Sequence, residues 1–243
     1  MSHRREEYMS KEQVHTFHVT ELFLLASAFE ADILFGLPDK KTFQLMGEDL
    51  FSKANEALIE KEILTRSGKI TQGGAYVIRA LEFYYLSKKY VRIHNMMFAF
   101  REKDEDEVIL LVEVEDGTYY RLYIMSKALV LKLLSDRFPF ILREPKKDET
   151  EFLKKELPYP VKKELENYEP KDFLNMEFFH LEKSPQQMEN PEFYQQWLVF
   201  VRDDQLFMVD PVVNKYYYVS QYWFLKVLFD QFDFPYKEVT SNV

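Results

Sequence analysis

The chain has 243 residues, is 47% hydrophobic and 30% charged, and carries 32 Lys and Arg against 41 Asp and Glu, a formal net charge of -9. A chain of this length buries roughly 70% of the surface its unfolded form exposes, enough for one large domain or two modest ones. The acidic balance disfavours nucleic acid and anionic membranes, whose affinity rests on clustered Lys and Arg, and the absence of cysteine excludes disulfides, thiol catalysis and thiolate metal sites.

Residues 1–9 are polar, carry no apolar run and read as a flexible tail rather than a secretory signal. Leu22 to Leu37 is the most hydrophobic stretch, but it contains Glu30 and Asp32 and falls short of the ~20 apolar residues of a bilayer span. It predicts a buried helix with Thr20 as N-cap, running to about Ala31 and stopped by Gly36-Leu37-Pro38. A second helix is expected over Phe43 to Glu62, a hairpin over Ile63 to Thr71 around Ser67-Gly68, and a third helix over Gly74 to Lys89. Residues 10–90 thus form a helical unit with one hairpin. With neither export signal nor anchor, the expected location is the cytoplasm.

From Val91 the period changes from helical to alternating. VRIHNMMFAFRE, EVILLVEVE and TYYRLYIM read as three strands, separated by the acidic loop from Lys103 to Asp106 and by Asp116-Gly117, a favoured two-residue turn. A helix over Lys127 to Phe138 completes a first subdomain, 91–142. Residues 143–170 are charged and proline-bearing and read as a connection with two short exposed helices. In 171–243, DFLNMEFFHLEK offers a strand, QWLVFVRD, QLFMVDP and KYYYVS three more, and a last helix is expected over Gln221 to Phe232.

These two stretches repeat. Shifted by 94 residues, LYIMSKALVLKLLSDRFPF from Leu122 lies over YYYVSQYWFLKVLFDQFDF from Tyr216, with eight of nineteen positions identical, among them Ser126/Ser220, Leu134/Leu228 and Phe138/Phe232. The pattern gives an α+β protein: a helical unit followed by two antiparallel β-β-β-α subdomains related by a quasi-twofold.

The repeat helices have two apolar sides. At 100° per residue, Leu225, Leu228, Phe229 and Phe232 share one face, while Trp223 and Val227 lie on the other; Leu131, Leu134 and Phe138 are matched against Leu129 and Leu133 in the first copy. A helix with apolar groups on its back packs against a second layer or binds a partner. Tyr216 and Tyr218, which share one face of the last strand, and Trp223 with Val227 are therefore the candidate partner-binding residues.

Catalytic and cofactor signatures are missing. Ser67-Gly68-Lys69 lacks the upstream glycine and following Ser/Thr of a P-loop, and no Gly-x-Ser-x-Gly elbow occurs. His15-x-x-His18, even with Glu12, completes no ligand set, so no metal, no cofactor and no enzymatic activity are expected. Helix, helix, hairpin and helix across 44–90 also match the order of a winged-helix DNA-binding regulator, the alternative reading; its reading helix would carry Glu48, Asp49, Glu56, Glu60 and Glu62 against Lys53 and Lys61, and would repel phosphate.

His15-Thr16-Phe17-His18-Val19-Thr20, the apolar helix, the Leu34-Phe35-Gly36-Leu37-Pro38 break, the helix ending at Ala57 to Ile63, the hairpin and the two β-β-β-α copies together resemble the EspG-like chaperones and adaptors of type VII (ESX) secretion, in particular those of low-GC Gram-positive bacteria. The resemblance implies a cytoplasmic, non-enzymatic α+β protein. It would hold a helical-hairpin client, a WXG100-like protein or an LXG toxin, soluble for export; among its partners a homodimer stays open.

Overall fold

The computed structural model describes residues 16–47, 49–101, 105–146, 149, 153–181 and 193–235. In chain order the elements are β1 (Thr16–His18), α1 (Val19–Ala26), α2 (Lys40–Met46), α3 (Asp49–Glu60), α4 (Gln72–Leu86), β2 (Lys89–Ile93), β3 (Met96–Phe100), β4 (Glu107–Glu115), β5 (Tyr119–Ser126), α5 (Lys127–Arg137), β6 (Lys154–Glu156), α6 (Tyr159–Leu165), β7 (Phe173–His180), β8 (Phe193–Arg202), β9 (Gln205–Asp210), β10 (Lys215–Val219) and α7 (Gln221–Phe232). The fold is α+β with antiparallel strand pairing. Two compact units form, one from the described residues up to Leu86 with Ile109–Ile124, the other from Ser87–Val108 and the described residues from Met125 onward.

In the first unit the strand order is β1-β5-β4, with Phe17 opposite Tyr120. α1 is apolar nearly all round and is correspondingly its central helix: Val19, Leu22, Phe23 and Ala26 are fully buried, and α1 packs against α3 and α4. Its N-cap is His18, two residues earlier than the expected Thr20. The His18 ring accepts from Thr20 N while Glu21 reaches back to His18 N, 3.0 Å, a reciprocal cap. Glu21 is buried and takes its ion pair from Lys61. The single helix expected over 43–62 is two helices. Gly47, at φ +145, breaks it, and Leu45 on the first of them is 89% exposed. The hairpin is formed, with Leu64 bridged to Ile70.

The second unit is a seven-stranded antiparallel arrangement in the order β3-β2-β7-β8-β9-β10-β6. Alternation along its strands separates two faces. Val91, Phe98, Met176, Phe178, Val199, Met208 and Val219 point to one and are fully buried, beneath Phe224, Leu228 and Phe232 of α7. The first repeat copy runs β2-β3-β4-β5-α5 and the second β7-β8-β9-β10-α7, so each has four strands where three were read in the first. The strand expected across 91–102 folds back on itself at His94-Asn95. His94 adopts φ 50 in a turn without glycine, which left no sequence signal. In both copies the last strand enters a serine-capped helix: Ser126 accepts from Leu129 N and Ser220 from Trp223 N. The first strands of the copies are antiparallel neighbours, Val91 opposite Phe178.

The charged connection is more ordered than its composition suggests. Among its described residues it contributes edge strand β6 and one helix, α6, where two were expected. Within it, ahead of β6, Glu149 is buried at the start of α7, accepting from Gln221 N at 2.9 Å and from Arg143. Gln221 in turn donates to the carbonyls of Phe140 and Ile141.

Candidate partner-binding surface

On the face turned away from α7, the second unit is half-open along β7 and the start of β8. On β7 the residues between the buried Leu174, Met176 and Phe178 are Asn175, Glu177 and Phe179; on β8, Tyr194 and Gln196 alternate with Trp197. Cross-strand pairing brings them together, Glu177 opposite Gln196 and Phe179 opposite Tyr194. Gln196 Nε2 donates to Asn175 Oδ1 at 2.8 Å, and the Tyr194 hydroxyl lies 3.3 Å from Glu177 Oε2 and 3.2 Å from Gln196 Oε1. Desolvation and the neighbouring Glu177 carboxylate push the Tyr194 phenol up to about 12. Phe179 packs on the Tyr194 ring, and Phe173 and Tyr194 are 40% and 38% exposed. A patch of amides, one carboxylate and exposed rings is suited to binding polypeptide, where rings supply area and amides supply adaptable hydrogen bonds. None of these residues was singled out from sequence. Polar residues at every second position of otherwise apolar strands were the available signal.

Of the four residues singled out, Tyr216 and Tyr218 do share a face, the half-open one. There Tyr216 packs on a cluster of Leu165, Phe200, Phe207 and Val209, which α6 covers, and the Lys162 ammonium lies 5.4 Å from its ring. The Tyr218 ring meets Phe207 edge-on at 6.3 Å. Trp223 and Val227, both half-buried on α7, belong to the opposite face, so the four do not form one site.

Trp223 joins a different group. The Lys154 ammonium of β6 lies 4.2 Å from the ring centre of Tyr217, 4.9 Å from Trp197 and 5.5 Å from Trp223, so both tryptophans of the chain line one cation. Desolvation lowers the Lys154 pKa, opposed by the nearby Asp210 carboxylate. Of the histidine pair, His18 is the α1 cap, and His15 with Glu12 lies outside the described residues. In the winged-helix-like segment, α3 carries Asp49, Glu56 and Glu60, and its Lys53 is paired with Asp49 at 2.7 Å. Among the described residues no helix is long and apolar enough to cross a membrane.

The fold defines the chain as an α+β protein built on antiparallel strands, one face of which is partly exposed. Residues 11–240 match the model of the family described as Domain of unknown function (DUF5081), and the chain belongs to that family. It is also 27% identical over 163 residues, 66% of this chain and 71% of the relative, to the type VII secretion system protein EsaE of Staphylococcus aureus strains USA300 and NCTC 8325 / PS 47.

Proposed function

We propose that this protein is a cytosolic, non-enzymatic chaperone or adaptor of a type VII secretion system, which binds a helical-hairpin client of the WXG100-like or LXG type and keeps it soluble for export. The observation that carries the reading is the similarity to EsaE over two thirds of both chains. The EspG-like quasi-twofold belongs to the same proposal. It is supported by the matched order of four strands and a serine-capped helix in each copy, and by the antiparallel pairing of their first strands, β2 and β7, which a local twofold between copies produces.

The client surface in this reading is the half-open patch around Tyr194; Tyr216 and Tyr218 lie further along the same face, where α6 packs on Tyr216, and form its margin, while Trp223 and Val227 form a second contact on α7. Co-expression with a small helical protein encoded beside this gene, followed by co-purification, tests it. Tyr194→Asp is expected to abolish capture while the melting temperature stays within a few degrees of wild type. Trp223→Asp separates the two faces. Failure of the wild-type chain to retain any such client would overturn the reading.

A further inference from the structure

β6 is an unusual edge strand. It is three residues long, Lys154-Lys155-Glu156, and all three are exposed. It pairs Lys154 with Val219, Lys155 with Tyr218 and Glu156 with Tyr217, and the ladder is continued by Ser220 N to Leu153 O and Leu157 N to Tyr216 O, each 2.9 Å. The Glu156–Lys215 ion pair is about half exposed at both ends and holds little. Beneath it, β10 reads Lys-Tyr-Tyr-Tyr-Val, a sequence of high strand propensity that would template any extended segment if uncovered. The one side chain of β6 with a built receptacle is Lys154, whose ammonium sits among Tyr217, Trp197 and Trp223. Nε1 of both tryptophans is buried without a hydrogen-bond partner among the described residues, a cost that Phe or Leu in their place would avoid. The rings are thus arranged for their faces, and what meets the faces is a cation.

We infer that the outer edge of β10 is a polypeptide-binding site for an extended segment bearing a lysine at the position opposite Val219, and that β6 fills this site in the free protein with Lys154 as the resident cation. Such a segment adds a strand through backbone hydrogen bonds and gains selectivity from the ring-lined receptacle. The site lies on the sheet's edge, apart from the half-open face, and its test uses no secretion client, so either reading can fail without the other.

Three measurements on the full chain test it. In Lys154→Ala, amide exchange across Lys215–Ser220 is expected to rise about tenfold, the ratio one partly desolvated cation–π contact sustains, while β7 and β8 exchange as in wild type. Tryptophan emission shifts to the red in the same variant, and Lys154→Arg restores both signals. The synthetic peptide Leu-Lys-Lys-Glu-Leu, the sequence of Leu153–Leu157, added to Lys154→Ala protein, returns protection to β10 and binds at least about tenfold more tightly than Leu-Ala-Lys-Glu-Leu. Unchanged exchange in Lys154→Ala, loss of its cooperative unfolding, or equal binding of the two peptides would each overturn the inference.

Discussion

Tyr216 and Trp223 lie on opposite faces of the strands that end in β10: Tyr216 packs on the Phe200–Phe207 cluster under α6, and Trp223 faces Lys154 beside Tyr217. A change on one face is therefore invisible to a probe on the other. Leu165→Ala removes the side chain by which α6 seals the Tyr216 face and should cost about 2–5 kcal/mol, read from the denaturation midpoint. Because both tryptophans sit on the far face, the native emission maximum should not move. A shift would mean that the two faces are coupled through β10.

Arg143 and Glu149 form the most buried ion pair described, with side chains 11% and 0% exposed, and Glu149 also accepts from Gln221 N at the start of α7. Glu149→Gln leaves the guanidinium without its counter-charge in a desolvated place and is expected to destabilise by about 3–5 kcal/mol. Replacing both partners together, Arg143→Met with Glu149→Leu, should recover most of that loss, because an apolar pair leaves no stranded charge. Denaturant titrations of the single and double variants decide it. A double variant as unstable as the single would show that the Gln221 contact, not the ion pair, holds the segment.

Acid should weaken the fold through two histidines. Burial holds both His18 and His94 below the usual histidine range of 6.5. In the window below 6.5 the unfolded chain therefore binds more protons than the folded one, and stability falls as pH falls. His94 stacks on Phe138 at 5.4 Å; the Phe173 carbonyl, 3.1 Å from Nε2, favours the charged ring, but desolvation outweighs it and the Arg137 guanidinium adds to the cost, so charging His94 is unfavourable at the β2–β3 turn. His94→Asn keeps a residue tolerant of positive φ. It should flatten part of the decline in melting temperature between pH 7 and 5, leaving the His18 share. An unaltered pH profile would remove His94 from the account.

The sequence announced its elements where pattern and punctuation agree and hid them where they do not. α7 begins and ends at Gln221 and Phe232 as its periodicity requires, because Ser220 caps it and the Phe224, Leu228 and Phe232 stripe is buried. The β4–β5 hairpin was legible at Asp116-Gly117, although its loop has three residues, 116–118, rather than the two expected, with Gly117 at φ 62. The β2–β3 turn was not, for His94 adopts the same backbone region with no glycine to mark it. Candidate site residues suffered from a different blindness. Helical geometry placed Trp223 on the back of α7, but only the strand register shows that Tyr217, between the two tyrosines chosen, is the one that meets it by way of Lys154. β6 was hidden altogether, because a Lys-Lys-Glu strand at a sheet edge has no apolar alternation to read.

The half-open face carries its own titration signature. Tyr194 is pushed up to about 12, first by desolvation and next by the charge of Glu177, to which its hydroxyl is hydrogen-bonded at 3.3 Å. Glu177→Gln removes the charge that opposes the phenolate but leaves the desolvation, so the Tyr194 pKa should fall only part of the way toward 10. Ring-carbon NMR of tyrosine-labelled protein, with Tyr194→Phe to assign the resonance, measures the fall. A client docked on this face would exclude water from Tyr194 and move its pKa upward again. Titration in the presence of a client thus reports which face is covered: a Tyr194 resonance that titrates identically with and without bound client would place the contact elsewhere, on α7 around Trp223.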